Sequence, residues 1–300
     1  MALTPVTLVV NPFATRVTQA KLAAVQAELE RVVELTVQLT ERPGHATELV
    51  TAAVDGGAEA IIVFSGDGGF NEALNGLVRD VPIGFLPGGG TSVLARALGM
   101  PPDPTHAARR LAVTIEAGRT RRITVGRVNG RRFAFGAGIG IDAEAVRRVD
   151  RMGRTDEGKR PGDLAFAISV VRSLGARHGH MEPALEVKGY GRAAFAFVAN
   201  GSPYTYVKRL PLPIASEAQF ELGLDLVAPV RVRRRTLVPT ALSILSGHVR
   251  GRRETLYGHD LDRLEIVCDA PMALQADGED LGDVREAVFE AERGAVSVFV

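Results

Sequence analysis

Three hundred residues, 46% hydrophobic and 24% charged, make a chain of globular composition with room for two domains. A net charge of +1 supplies no overall field for nucleic acid, and no apolar run reaches the roughly eighteen residues that a membrane-crossing helix needs. The single cysteine, Cys268, excludes an internal disulfide framework; within Leu264-Glu265-Ile266-Val267-Cys268 it reads as a small buried hydrophobe, and its solitude suits the cytoplasm.

The chain opens without the basic start and apolar stretch of a signal peptide and runs into an apolar strand, Val6 to Val10, stopped by Asn11-Pro12. Thr18 can cap a helix whose apolar residues Leu22, Val25, Leu29, Val32 and Val33 recur at helical spacing. A strand at Leu35 to Leu39 ends at Pro43-Gly44. A helix from about His45 to Val54 and a buried strand at Ala60 to Phe64 follow. The rhythm continues with a helix at Asn71 to Val78, a strand at Ile83 to Leu86 and a helix at Thr91 to Leu98. Strands alternating with helices at this period predict a doubly wound, mostly parallel sheet, placed at residues 1–118.

After Gly118 the pattern changes. Ile123 to Val128 and Arg131 to Phe135 flank Asn129-Gly130, a strong hairpin signal. Further strands are expected at Ala184 to Val187, Ala193 to Val198, Leu222 to Val227, Arg263 to Val267 and Val296 to Val300, with helices at Asp142 to Val149 and Asp163 to Leu174. Residues 119–300 therefore form a second domain, a sandwich-like arrangement of antiparallel strands whose last strand is able to return to the first domain. The polar stretch Arg151 to Gly162 has no period and reads as a loop. Arginines cluster at Arg147, Arg148, Arg151 and Arg154, at Arg231, Arg233, Arg234 and Arg235, and at Arg250, Arg252 and Arg253. Each cluster is able to face anionic headgroups, although a solvated face is the simpler reading of any one of them.

Two glycine-rich segments each follow a strand and open a helix: Ser65-Gly66-Asp67-Gly68-Gly69-Phe70-Asn71-Glu72 and Pro87-Gly88-Gly89-Gly90-Thr91-Ser92. Glycine lets backbone N–H groups approach a phosphate, and a helix start adds a favourable dipole. In a parallel sheet both segments fall at the same sheet edge, where such folds bind ligands. No Gly-x-x-x-x-Gly-Lys-Ser/Thr sequence occurs, so the site is not of the Walker kind. Gly136-Ala137-Gly138-Ile139-Gly140-Ile141-Asp142 has the wrong spacing for a dinucleotide fingerprint and follows a hairpin, so close packing explains it better. His178-Gly179-His180 lacks partner ligands, and a metal is not expected there.

Asn11-Pro12, Ser65 to Gly76 and Leu86 to Thr91 together resemble three signature blocks of the diacylglycerol kinase catalytic family, which includes bacterial lipid kinases and the sphingosine and ceramide kinases. Leu274-Gln275-Ala276-Asp277-Gly278-Glu279 resembles the Asp-Gly-Glu block of its bacterial members, and Asn200 to Tyr206 through Gly223-Leu224-Asp225 also fits them. The resemblance implies ATP and Mg²⁺ as cofactors, a nucleotide between two domains, and a lipid hydroxyl, that of diacylglycerol or a similar lipid, as acceptor. It implies nucleotide contacts at Asn11, Pro12, Ser65, Gly66, Asp67, Gly68, Gly69, Asn71, Glu72, Gly89, Gly90 and Thr91. The proton acceptor falls on Glu279 by the bacterial pattern and on Asp67 by the sphingosine kinase pattern. It also implies a cytoplasmic enzyme of phospholipid biosynthesis that touches anionic membrane peripherally during turnover and binds no nucleic acid.

Three departures accompany it. The family's usual Gly-Gly-Asp-Gly-Thr is here Ser65-Gly66-Asp67-Gly68-Gly69, and restoring threonine at Gly69 is expected to be tolerated if the loop cradles phosphate. The Asp-Gly pair that helps hold a structural Mg²⁺ has no clean match; Glu221 is the nearest acid and, with Asp67, the candidate metal ligand. Asp277-Gly278 is also a good hairpin turn, which by itself explains the Asp-Gly-Glu block. Three other readings stay open: a sphingoid-base or ceramide kinase, an NAD kinase, and an inactive lipid- or nucleotide-binding homologue. In NAD kinases the Asn-Glu pair lies far downstream of the glycine block, whereas Asn71-Glu72 sits beside it here.

Overall fold

The computed structural model describes residues 4–151, 180–207, 210–235 and 237–300, and the chain divides into two units, residues 1–123 with 294–300, and residues 124–293. The first unit is built from β1 (Thr4–Val10), α1 (Gln19–Leu29), β2 (Val33–Leu39), α2 (His45–Asp55), β3 (Ala60–Ser65), α3 (Asp67–Gly76), β4 (Ile83–Pro87), α4 (Val93–Ala97) and α5 (Pro104–Glu116). Its strands lie in the order β2-β1-β3-β4, all parallel. Val298, near the chain's end, pairs with Ile83 on the far side of β4, also in parallel. With both neighbours in place, β3 and β4 are buried along their whole lengths, which is why Ala60 to Phe64 and Ile83 to Leu86 read as continuous apolar runs.

The strand order reverses direction at β1: α1 carries the chain outward to β2, and α2 carries it back past β1 to β3. Right-handed crossovers then place α1 on one face and α2 and α3 on the other. The packing follows this rule, with α1 against α5 and α2 against α3. Thr18 caps α1 by accepting the Lys21 N–H at 3.3 Å, and Val25 and Leu29 turn inward. Helix α5 is an element the pattern reading passed over, although its signals are present. Asp103 accepts the N–H groups of Thr105 and His106, Pro104 occupies the first turn, and Ala107, Ala108 and Leu111 face the core.

The second unit contains the end of β5 (Thr120–Val128), β6 (Arg131–Phe133), β7 (Gly136–Ile139), α6 (Ile141–Arg151), β8 (Leu185–Val187), β9 (Gly191–Ala193), β10 (Ala196–Ala199), β11 (Thr205–Val207), β12 (Leu210–Leu212), β13 (Leu224–Pro229), α7 (Leu237–Leu245), β14 (Thr255–Leu261), β15 (Arg263–Ala276) and most of β16 (Glu279–Phe299). Its main path is the antiparallel series β14-β13-β10-β7-β15-β16. Phe133, Leu185, Val198, Leu226, Ile266 and Phe289 are among the side chains of its core. Cys268 belongs to the same core, free and buried, with its thiol pushed up by burial.

The predicted Asn129-Gly130 hairpin is present, both residues having positive φ. The expected strand at Ala193 to Val198 is instead two strands, because β9 pairs with β8 whereas β10 runs between β7 and β13. The helix expected at Asp163 to Leu174, and the loop from Arg151 to Gly162 apart from Arg151 itself, lie outside the described residues. No helix among the described residues is long and apolar enough to cross a membrane.

Candidate nucleotide-binding site

The reversal of strand order places a crevice at the carboxyl ends of β1 and β3, the position where open parallel sheets hold ligands. Three loops meet there, within the first unit. The Asn11 N–H donates to the Phe64 carbonyl at 3.0 Å, and the Asn11 side-chain oxygen accepts the Phe13 N–H at 2.9 Å. The Gly88 N–H donates to the Ser65 carbonyl at 2.7 Å, and the Arg16 N–H to the Gly88 carbonyl at 2.8 Å. The Arg16 guanidinium reaches the Gly90 carbonyl at 3.1 Å and the Pro102 carbonyl at 3.2 Å.

The glycines of this cradle have different physical reasons. A Cβ on Gly89 would stand 2.7 Å from the Gly66 Cα, and one on Gly88 would stand 2.9 Å from the Val17 side chain. Gly66, Gly88 and Gly89 therefore answer to the packing of loop on loop. Gly90 is exposed, a Cβ there would meet nothing within 4 Å, and its φ lies outside the left-handed region. Neither sterics nor backbone conformation demands glycine at that position, and the open space beside it leaves the backbone accessible to a ligand.

The acidic and amide residues of the first block turn inward. Both carboxylate oxygens of Asp67 accept backbone N–H groups at the start of α4, from Val93 at 2.9 Å and Leu94 at 3.1 Å. Glu72 does the same for α2, accepting Gly44 N–H at 2.9 Å and Ala46 N–H at 3.1 Å. Asn71 is fully buried and receives the Asn75 amide on its carbonyl at 2.9 Å and its side-chain oxygen at 3.2 Å. These residues, predicted as nucleotide contacts, tie α3 to the two helix starts beside it. Because Asp67 takes up the first N–H groups of the five-residue α4, the second loop does not present that helix start to a phosphate. Pro12 is exposed, while Gly68 and Thr91 are half-buried.

Ser65 and Gly69 form a reciprocal pair. A Cβ on Gly69 would lie 2.1 Å from the Ser65 Oγ and 2.7 Å from its Cβ. The expectation that threonine would be tolerated at Gly69 is thereby corrected: Ser65 already fills that space. The Ser65 hydroxyl is buried and has no hydrogen-bond partner among the described residues. Such a hydroxyl calls for a partner beyond the described residues, since leaving it unpaired costs about 1–3 kcal/mol. An orphaned hydroxyl and a glycine facing open space fit a phosphate chain, with Ser65 supplying a hydroxyl that the usual family pattern carries at position 69.

In the second unit the Asp-Gly-Glu block separates into three roles. Asp277 and Gly278 have φ of +49° and +79° and make the tight turn between β15 and β16. The Asp277 carboxylate is buried and accepts three consecutive backbone N–H groups, from Ala134, Phe135 and Gly136, at 2.6, 3.0 and 3.2 Å. Glu279 is half-buried and ion-paired with Arg131. The clamping role of Asp277 was not foreseen, since a turn explains an Asp-Gly pair without it.

A second unforeseen cluster is Asp142, Tyr204 and Gln275. The Tyr204 hydroxyl donates to Asp142 at 2.7 Å and Gln275 donates to the same oxygen at 2.5 Å. Burial pushes the Asp142 carboxyl up to about 6. A Cβ on Gly138 would come within 2.4 Å of that carboxylate, so the Gly136 to Asp142 run is close-packed, as its spacing suggested.

Glu221 is exposed ahead of β13. Nearby in sequence, Asp225 is buried and accepts from His259 Nδ1 at 2.8 Å and the Asp260 N–H at 3.1 Å. Among the described residues no group of three or more His, Cys, Asp or Glu could hold a metal ion. The described residues therefore do not by themselves fit a protein-built magnesium cage around Asp67 or Glu221. His180 pairs with Glu182 at 3.0 Å, and His178 lies outside the described residues.

The first unit is thus a doubly wound α/β domain with a three-loop, glycine-rich cradle at its topological switch point. Residues 5–128 match the model of the diacylglycerol kinase catalytic domain family. A diacylglycerol kinase of Bacillus subtilis is 34% identical over 172 residues, 56% of this chain and 54% of the relative, so the match spans about half the length of such curated relatives. The crystal structure of a diacylglycerol kinase from Bacillus anthracis superposes with a TM-score of 0.71 at 18% identity, covering 100% of this chain and 97% of that one. An NAD kinase from Archaeoglobus fulgidus, solved in complex with ATP, has a TM-score of 0.54 at 15% identity over 98% of this chain and 93% of its own. At these identities the two structures speak to the fold.

Proposed function

We propose that this protein is an ATP-dependent lipid kinase that uses magnesium-ATP as substrate and phosphorylates the hydroxyl of diacylglycerol or a similar lipid. The observation that carries the reading is the buried Ser65 hydroxyl, without a hydrogen-bond partner among the described residues, in a glycine cradle at the switch point, within the part of the chain that matches the diacylglycerol kinase catalytic family. Bound ATP supplies a transferable terminal phosphoryl group. Ser65 and the backbone around Gly89, Gly90 and Thr91 bind and orient the phosphates, with Asn11 and Pro12 opening the first of the three loops.

The proton of the lipid hydroxyl goes to Glu279, whose carboxylate Arg131 holds in place. Asp67 is the weaker candidate for this role, because both of its oxygens already accept backbone N–H groups. A carboxylate takes such a proton as the new P–O bond forms, so its contribution appears mainly in the transition state. The enzyme would work in the cytoplasm, in phospholipid biosynthesis, meeting its substrate at a membrane surface.

The test is to incubate the purified protein with labelled ATP, Mg²⁺ and a panel of diacylglycerols, sphingoid bases and ceramides in mixed micelles, with NAD as a parallel acceptor, and identify the product by mass. A phosphorylated diacylglycerol is the expected product. Phosphorylation of NAD alone, or of nothing, would overturn the reading.

A further inference from the structure

Helix α7, Leu237–Leu245, is anchored on one side and bare on the other. Ser243 and Ile244 are buried, Ile244 in a core cluster with Val249 and Ala215. The Ser243 hydroxyl donates to the His248 carbonyl at 2.5 Å, and the Ser216 hydroxyl to the Gly247 carbonyl at 3.1 Å. Its outer face carries Val238, Leu242 and Leu245, which are 65, 62 and 43% exposed. Their spacing of four and three residues puts them in one row along the helix. An apolar row of this kind, on a helix already fixed from behind, marks a surface that something else covers.

The chemistry around the row says what covers it. Residues 231–254 contain seven arginines and a single acid, Glu254, in a chain whose overall charge is only +1. Arg234 and Arg235 are exposed just before the helix, and Arg250, Arg252 and Arg253 are exposed just after it. Arg250 pairs with Glu217 at 2.8 Å. Arg234, Arg235, Arg252 and Arg253 have no ion pair among the described residues. Thr240, Arg252, Arg253, Glu254 and Thr255 line an open cavity of about 180 Å³ beside the helix. Guanidinium groups match phosphate oxygens in geometry as well as charge, and hydroxyls add further donors.

We propose that α7 with Arg234, Arg235, Arg252 and Arg253 is a docking surface for an anionic phospholipid bilayer, the apolar row entering the acyl boundary and the arginines meeting the headgroup phosphates. An interfacial helix combines these features, an apolar face bordered by basic residues. A second copy of the chain is a poorer occupant, because a two-fold contact through this face would bring the arginine flanks of both copies together. By contrast, Arg147 is already committed, pairing with Asp280 at 2.7 Å and Asp283 at 2.6 Å. The proposal deepens the lipid-kinase reading and rests on it for its purpose.

The experiment is co-sedimentation with vesicles of phosphatidylcholine alone and of equal parts phosphatidylcholine and phosphatidylglycerol, at low and high salt. It compares the unaltered protein with Leu242→Ser/Leu245→Ser and Arg252→Ala/Arg253→Ala. The unaltered protein should pellet with the mixed vesicles only, and less so at high salt. Removing two arginines should weaken binding about 25-fold, at about fivefold for each, and the serine pair should weaken it by at least about tenfold. Both variants should keep the thermal transition of the unaltered protein and its turnover of a short-chain, monomeric diacylglycerol. Equal binding by either variant, equal binding to neutral vesicles, or no vesicle binding with self-association abolished by the serine pair would overturn the proposal. Vesicle binding that depends on these residues in a protein unable to phosphorylate the monomeric lipid would uphold the surface and remove the kinase reading.

Discussion

Gly69→Thr offers the sharpest test of the cradle, because the structure assigns the space to one side chain at a time. A Cβ at position 69 would lie 2.1 Å from the Ser65 Oγ, and Ser65 sits at the buried end of β3 with little freedom to retreat. Overpacking of this kind costs about 1–3 kcal/mol, which at roughly 2–4 °C per kcal/mol should appear as a clear fall in melting temperature. Adding Ser65→Gly vacates the space, so the double variant should melt within a few degrees of the unaltered protein, roughly the effect of one glycine in a strand. Ser65→Ala removes the hydroxyl without crowding. A hydrogen bond to a charged phosphate is worth about 1.5–3 kcal/mol, so its KM for ATP should rise about 10–100-fold, and the double variant, with a hydroxyl again in the same space, should recover most of that loss. Melting by circular dichroism and ATP titration of turnover read the two effects separately. If Gly69→Thr alone melts like the unaltered protein, or the double variant is worse than either single one, the reciprocal relation is wrong.

Glu279→Gln preserves size and most hydrogen bonding while removing proton affinity, and kcat should fall about 10²–10⁴-fold with ATP affinity nearly unchanged; near-normal turnover would move the proton acceptor to Asp67. Asp67→Asn turns one of two acceptors at the start of α4 into a donor facing an N–H, so it should lower stability by about 1–3 kcal/mol and weaken ATP binding together; unchanged denaturant unfolding would show that the α4 contact is dispensable. Asp142 titrates at about 6 in the folded protein against an ordinary 3.8, because burial penalises its charge. The folded chain therefore keeps a proton that the unfolded chain releases between about pH 4 and pH 6, and stability falls by about 3 kcal/mol as pH rises through that window. Asp142→Asn should flatten that slope, read as the change in melting temperature between about pH 4 and about pH 8, and an unaltered slope would count against a buried, titrating Asp142.

The sequence alone determined the alternation of strands and helices in the first unit. A middle strand must be apolar along its length, and a turn at a parallel edge must be made of glycine, proline or a capping residue. Both signals are local, and so were readable in Ala60 to Phe64 and in Asn11-Pro12. The reading of Asn129-Gly130 as a tight turn rests on the same ground, since backbone conformation at two positions decides it. Helix α5 was equally legible in Asp103-Pro104 and the apolar spacing after them, but was passed over.

Tertiary structure alone decided which polar residues are committed. Asp67, Glu72 and Asp277 are all carboxylates suited to catalysis by residue type, and the resemblance singles out only Asp67 among them as a candidate proton acceptor. Folding gives Asp67 to the start of α4, Glu72 to the start of α2 and Asp277 to three N–H groups more than 140 residues earlier in the chain. Glu279 is left on an arginine, and the Ser65 hydroxyl without a partner among the described residues. The exposed face of α7 belongs to the same category, because exposure depends on what the other described residues leave uncovered. A hydrogen bond between distant segments depends on where the sheet order brings them, and no spacing along the sequence records that.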